Sequence, residues 1–250
     1  MIVIIGNTHD DVLYFESKLR NKKEETILNK FPYITGTIFS QKVCVIYGGY
    51  TNYISASIIS SILAKNYVEL VINVGRCTSC DDETKTGNII VSNQTYLGEV
   101  NQIGIENAIL GQVPTCPQFY PTDSYVLELM IDSINKVVKN VTFKPATIIS
   151  IEKIVHYKKD IEGISSASGI VFGNNKGLVI DSSTGGIALS CYLNNIPYIS
   201  VEVVDGKLDE TITIDGYIDV LKRYSDIGKS ITTFIGEISR KEIVARDKPE

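Results

Sequence analysis

Short apolar runs alternate with amphipathic segments along most of this chain. Val71-Ile72-Asn73-Val74-Gly75-Arg76-Cys77 is apolar up to a glycine flanked by functional side chains. A polar loop follows, then a second run, Gly87-Asn88-Ile89-Ile90-Val91-Ser92-Asn93. Runs without a polar face predict strands buried on both sides, as in parallel sheets. Residues 2–5, 146–151, 178–180 and 198–204 predict further strands of this kind, and 34–38 with 43–47 predict a hairpin around Ser40-Gln41. Helical spacing predicts helices over 10–20, 51–64, 122–138, 184–193 and 214–235. Thr51 caps the second of these, and Thr122 or Asp123 the third. Such alternation predicts an α/β fold: one domain over 1–238, with a twisted, mixed, mostly parallel sheet flanked by helices. A charged tail follows over 239–250. In open α/β sheets ligands bind at the carboxyl ends of strands, so the segment from Val71 to Asn93 points to a small-molecule site.

Charge narrows the partners. Lys and Arg total 24 against 29 Asp and Glu, a net charge of −5. That balance argues against a nucleic-acid or anionic-membrane partner, either of which favours a basic face. No apolar run reaches membrane-spanning length, and the first six residues lack the basic start of a signal peptide. A soluble, cytoplasmic protein is expected. Cys77 and Cys80 have C-x-x-C spacing, but no second such pair exists, and His9 and His156 are the only histidines. A structural zinc needs four ligands, and the acids after Cys80 work against a reactive thiolate. No metal or cofactor is expected, and both thiols read as spectators. Residues 104–122 hold Pro114, Pro117 and Pro121 without periodicity, which marks a functional or interface loop.

The order of landmarks resembles the nucleoside phosphorylase superfamily, and within it the 5′-methylthioadenosine/S-adenosylhomocysteine nucleosidases. Ile4-Ile5-Gly6 before Asp10-Asp11 is similar to that family's opening strand and acidic turn. Tyr47-Gly48-Gly49-Tyr50 is similar to its second glycine turn. Asn73-Val74-Gly75, then Gly87 to Ser92, resembles its N-x-G and G-D-I-V-V-S segment. Gly111-Gln112-Val113-Pro114 and Cys116-Pro117 resemble its G-Q-x-P-x-x-P loop. Ile187-Ala188, Cys191 and Ile196-Pro197-Tyr198 resemble its last helix and strand, and Val204-Asp205 falls near its catalytic aspartate. The ordered match runs from about residue 1 to 235.

The resemblance implies hydrolysis of a purine nucleoside's N-glycosidic bond through an oxocarbenium-like state, in a homodimer or larger assembly. It places Asp205 as the acid that protonates the base and Asp11 as the carboxylate that activates water. Asp11 is one methylene shorter than the family's glutamate. Ser183 stands where the family has a ribose-binding glutamate, with Ser182 before it, and Asp181 would point elsewhere. Gly49 and Gly75 line the turn and strand of the substrate site, and Ile154 and Val155 wall the adenine. Ile103 and Pro114 reach toward a neighbouring subunit's pocket. Arg76 replaces a small residue. It either binds an anion or pairs with Asp81, Asp82 or Glu83, and the pairing is the reading favoured by sequence. Ser183 also leaves open a catalytically impaired relative that binds a nucleoside-like ligand, and Arg76 a phosphorylase. The small and apolar residues of the 51–64 helix, with the loop at 104–121, predict the homodimer contact.

Overall fold

In the computed structural model, residues 1–139, 143–161, 164 and 177–239 are described. The strands are β1 (Ile2–Gly6), β2 (Arg20–Ile27), β3 (Phe31–Ile38), β4 (Gln41–Tyr47), β5 (Leu70–Ser79), β6 (Ile89–Leu97), β7 (Phe119–Pro121), β8 (Phe143–Ser150), β9 (Leu178–Asp181) and β10 (Tyr198–Lys207). The helices are α1 (His9–Lys18), α2 (Asn52–Lys65), α3 (Ser124–Val137), α4 (Thr184–Leu193) and α5 (Ile214–Ile238). Apart from Ser239, the predicted tail lies outside the described residues. No described helix is long and apolar enough to cross a membrane.

β1 lies between β4 and β5, parallel to both, and the sheet extends through β3 to β2 at its edge. β5 is the hinge of the architecture. Its first part pairs with β1, its whole length with β10, and its last two residues with β9. β10 also pairs with β6, β6 with β8, and β8 with β9. Five strands therefore close into a ring, whose interior holds Cys77, Ile90, Ala146, Ile148, Val179 and Val204. Closure removes the edges that an open sheet of this length would expose. One sheet face buries Val12 and Phe15 of α1, Met130 and Ile134 of α3, and Ile231 and Phe234 of α5. The other buries Ile58, Ile59 and Ile62 of α2 with Ile187 and Ala188 of α4.

Two sequence expectations change here. β2 reads Arg20-Asn-Lys-Lys-Glu-Glu-Thr-Ile27 and shows no apolar alternation because it is an exposed edge strand. Charged side chains on such an edge oppose pairing with other chains. The predicted helix over 10–20 accordingly ends at Lys18. In α2, the isoleucines read as a partner-facing surface pack inside the same subunit. Its small residues serve α4, with Ser55 Oγ donating to Ser183 O at 2.8 Å. What stays exposed nearby is Tyr50 and Tyr53, with Ile105 and Ile109 on the long loop and Ile103 just before it.

Candidate active site

The turn after β1 sets the first acid. A Cβ on Gly6 would lie 2.8 Å from both Asp11 Cβ and Val12 Cγ1, so only glycine lets α1 fold back this tightly. The return buries Asp11 to 3 % exposure. Its Oδ2 accepts the Thr8 N–H at 2.7 Å, the geometry of an N-terminal cap. Its Oδ1 is buried with no hydrogen-bond partner. Asn7 Oδ1, on the same turn, is buried and unpartnered as well. Acceptors left bare in one place mark a site built for a ligand or water.

The second acid comes from β10. The strand does not stop at Val204, as the sequence suggested, but continues to Lys207. Val204 pairs with Cys77 and Gly206 with Thr78, so Asp205 is the extra residue of a bulge. A bulge re-aims a side chain, and here it turns Asp205 toward the first acid. Burial raises the Asp205 carboxyl above its usual range, Arg76 opposes this, and the charge of Asp11 adds to it.

Arg76 joins the two. It follows Gly75 on β5, is half-buried, and makes no hydrogen bond or ion pair among the described residues. The favoured pairing with the following acids is thereby corrected. Asp81 Oδ1 and Oδ2 are occupied by Thr84 and by the Gly177 and Leu178 N–H groups, and Asp82 pairs with Lys207 at 3.0 Å. Alternation along β5 instead turns Arg76 to the α1 and α5 side. Burial alone would lower its pKa, but the nearby Tyr224, Asp11, Asp205 and Tyr217 outweigh this and raise it. The Tyr224 hydroxyl, on α5, is buried beside the Asp11 carboxyl, and burial followed by the charge of Asp11 raises its pKa.

Opposite this group, at the head of α4, lies a buried polar cluster. Ser183 is 1 % exposed and its Oγ donates to Asp181 Oδ2 at 3.0 Å. Asp181 thus does not point elsewhere: it turns back onto Ser183 and Thr184, capping the first turn of α4. Ser182 faces the other way and donates to Tyr50 O at 3.0 Å. Asn73, on β5, brings its two amide protons within reach of three acceptors, Thr184 Oγ1, Ser200 Oγ and Glu202 Oε1, at 3.0, 2.9 and 3.1 Å. The Cys77 thiol feels Glu202, Asp205 and Asp181 together, so the cluster and Asp205 are neighbours.

Other expected site residues fare differently. Gly75 and Gly49 are buried, and Gly49 N–H donates to Gly6 O at the end of β1. Ile154 is 85 % exposed, which does not fit the adenine-stacking expectation. Val155 is buried, but among Ile149, Ile151 and Leu178 in a core cluster. Both follow Ser150, where β8 has ended and the chain turns outward. Ile103, just before the long loop, is 64 % exposed, and Pro114 within it is half-buried. Cys77 and Cys80 lie in separate core clusters. A cleft of about 160 Å³ opens beside Gly206, lined by Thr86, Lys207, Glu210 and Thr213. It is smaller than a nucleoside pocket, and neither Asp11 nor Arg76 lines it.

The family model described as the phosphorylase superfamily matches residues 1–239. The chain belongs to the phosphorylase superfamily. Among curated relatives, the 5′-methylthioadenosine/S-adenosylhomocysteine nucleosidase of Staphylococcus epidermidis is 25 % identical over 226 residues, 88 % of this chain and 92 % of the relative. The nucleosidase of that name from Neisseria meningitidis, solved with methylthio-immucillin-A, superposes with a TM-score of 0.81 at 16 % identity, covering 94 % of this chain and 98 % of that one. Futalosine hydrolase of Helicobacter pylori superposes with a TM-score of 0.80 at 18 % identity, covering 94 % and 97 %.

Within this superfamily chain, sequence reasoning missed Glu202, Thr184, Ser200 and Tyr224. One signal was available. Glu202 is a lone charge inside Tyr198-Ile-Ser-Val-Glu-Val-Val204, and a charge in a buried strand needs a special setting. Tyr224 gave none, because a tyrosine on an amphipathic helix reads as ordinary core.

Proposed function

We propose that this protein hydrolyses the N-glycosidic bond of a methylthioadenosine- or adenosylhomocysteine-type purine nucleoside, in the cytoplasm and as a homodimer. The observation that carries the reading is that Asp11, Asp205 and Arg76, from opposite ends of a superfamily chain, lie near enough to act on one another's charge. The names of the relatives supply the substrate class. Asp205 protonates the departing base, since burial lets it keep a proton closer to neutral pH than an exposed aspartate does. Asp11 takes a proton from water with Oδ1, while the Thr8 N–H fixes Oδ2. Ser183 stands at the ribose position, with Gly75 and Gly49 leaving room for the nucleoside.

A phosphorylase reading has one observation in its favour, the half-buried Arg76 without an ion pair. Its surroundings weigh against it. Asp11 and Asp205 both act on that guanidinium, and a phosphate would enter against two carboxylates. Asn73, at the position that carries an arginine in the superfamily's phosphorylases, turns its amide to Thr184, Ser200 and Glu202. The test is incubation with 5′-methylthioadenosine, adenosine or inosine, with and without phosphate. The expected sugar product is the free pentose in both cases. A sugar 1-phosphate as main product would overturn hydrolysis and promote Arg76 to phosphate ligand.

The homodimer reading rests on Tyr53, exposed on α2, and on Ile105 and Ile109, exposed on the loop that carries Pro114, with Ile103 just before it. Apolar side chains exposed together favour a partner surface. Sedimentation at micromolar concentration is expected to give twice the mass of 27.6 kDa. A monomer at that concentration would refute it.

A further inference from the structure

Two carboxyl groups are buried on either side of one hydroxyl where α4 meets β10. Asp181 is 6 % exposed and Glu202 0 %. Thr184 Oγ1 lies 2.6 Å from Asp181 Oδ2 and 2.9 Å from Glu202 Oε1. A threonine hydroxyl owns one proton and can satisfy only one of these contacts. The other oxygen pair needs a proton that two ionised carboxylates do not have. Ser200 Oγ, 2.6 Å from Glu202 Oε1, and the Asn73 amide bring donors to Glu202 but do not fill the gap between Thr184 and the second carboxyl.

The surroundings decide which carboxyl holds the extra proton. Asp181 Oδ2 accepts the Ser183 and Thr184 N–H groups at 3.1 and 2.7 Å and the Ser183 hydroxyl at 3.0 Å. It sits at the N-terminus of α4, where the helix dipole favours a negative charge. Glu202 has no such support. From β9 it faces Asp181, and from β5 the thiol of Cys77. From α4, β5 and its own strand it faces only the neutral Thr184, Asn73 and Ser200. Each carboxyl leaves one oxygen buried with no hydrogen-bond partner, Glu202 Oε2 and Asp181 Oδ1, so the backbone amides and the helix dipole at Asp181 decide between them. An ionised carboxylate with one bare oxygen at zero exposure is strongly disfavoured.

We propose that Glu202 is a positioning residue held as the carboxylic acid, so that Asp181, Thr184 and Glu202 form a one-proton clamp fixing the head of α4 to β10. The clamp joins the strand that carries Asp205 to the helix that begins at Ser183. Burial, followed by the charge of Asp181, raises the Glu202 carboxyl to about 8. Above that pH two negative groups share one hydroxyl and push β10 from α4. The clamp bears on turnover only through the site proposed above, so its test needs an arm that reads no turnover.

Infrared difference spectra of the wild type and Glu202→Gln supply that arm. At pH 6.5 the wild type is expected to show the carbonyl band of a protonated buried carboxyl. Glu202→Gln loses that band, and the wild type loses it on titration to high pH. In Asp181→Asn the like charge is gone, and the midpoint of that titration is expected to fall by about one pH unit or more. Thermal unfolding adds a second readout: Glu202→Gln gains stability over the wild type as pH rises from 5 to 9. No protonated band in the wild type, or an unchanged midpoint in Asp181→Asn, would overturn the clamp. The Asp181→Asn titration decides the matter even where Glu202→Gln does not fold. A wild type that turns over no nucleoside but shows the band would sink the nucleosidase reading and leave the clamp standing.

Discussion

Asp205→Asn is expected to abolish nucleoside turnover while leaving the fold intact. The carboxyl is carried on a bulge of β10, a position from which no other described side chain takes or gives it a hydrogen bond. Asparagine has nearly the same shape, so little packing is lost, and stability should change by no more than about 0.5 kcal/mol. The chemistry is another matter. Burial, opposed by Arg76 and assisted by Asp11, raises the Asp205 pKa, which keeps a proton available to the departing base. An amide cannot release a proton. General acid catalysis contributes roughly 10²- to 10⁴-fold, and that is the expected fall in kcat. Because the protonated form is the active one, the wild-type rate should also decline as pH rises through the Asp205 pKa. The check is kcat/KM on 5′-methylthioadenosine beside the melting temperature of both proteins. Full activity in the variant would show that another group protonates the base.

The largest expected loss of stability comes from Gly186→Ala, one methyl group on α4. The added Cβ would lie 2.0 Å from Asn52 O and 2.7 Å from both Asn52 C and Ser55 Oγ. Two of these are backbone atoms at the start of α2, which cannot swing aside as a side-chain tip does. Relief requires the two helices to part. Parting also breaks the clasp made by Asn52 Oδ1, which accepts Gly186 N–H and Ser150 Oγ, each at 2.8 Å. Overpacking typically costs about 1–3 kcal/mol, and the broken buried hydrogen bonds add about 1 kcal/mol each. A loss of about 3 kcal/mol or more is expected, which for a chain of this size lowers the melting temperature by roughly 10 °C. Urea unfolding measures it directly. A variant as stable as the wild type would mean that α2 and α4 do not touch at this point.

Much of the architecture could be read from periodicity because the elements behind it are buried on both faces. β1, β4, β5 and β10 declare themselves as apolar runs, and α2 and α3 as capped apolar stripes. β2 escaped because an edge strand made of Lys and Glu has no pattern that distinguishes it from a loop. Closure of β5, β10, β6, β8 and β9 into a ring escaped because it depends on β10 pairing on both of its edges, a long-range fact with no local signature. At the proposed site, landmark order alone singles out Asp11 and Asp205. The turning of Asp205 by a bulge was not, since a one-residue register shift leaves no trace in composition. Ile154 misled because apolar character says nothing about facing once a strand has ended. Arg76 misled because the acids nearest in sequence are engaged by backbone amides and by Lys207.

The five sulfurs have a practical meaning. Cys44, Cys77, Cys80, Cys116 and Cys191 are all free, and all are buried. Burial raises the thiols of Cys44, Cys77, Cys80 and Cys191, Cys44 to about 12, so the reactive thiolate is scarce as well as hidden. They are also dispersed: Cys44 beneath α2 and α4, Cys191 on α4 itself, Cys77 inside the ring, Cys80 in the cluster behind β9, and Cys116 on the long loop. Each is a built-in chemical clock for its own neighbourhood. The order in which a small alkylating reagent reaches them under native conditions would rank the opening of loop, helix pair and ring without any label being introduced.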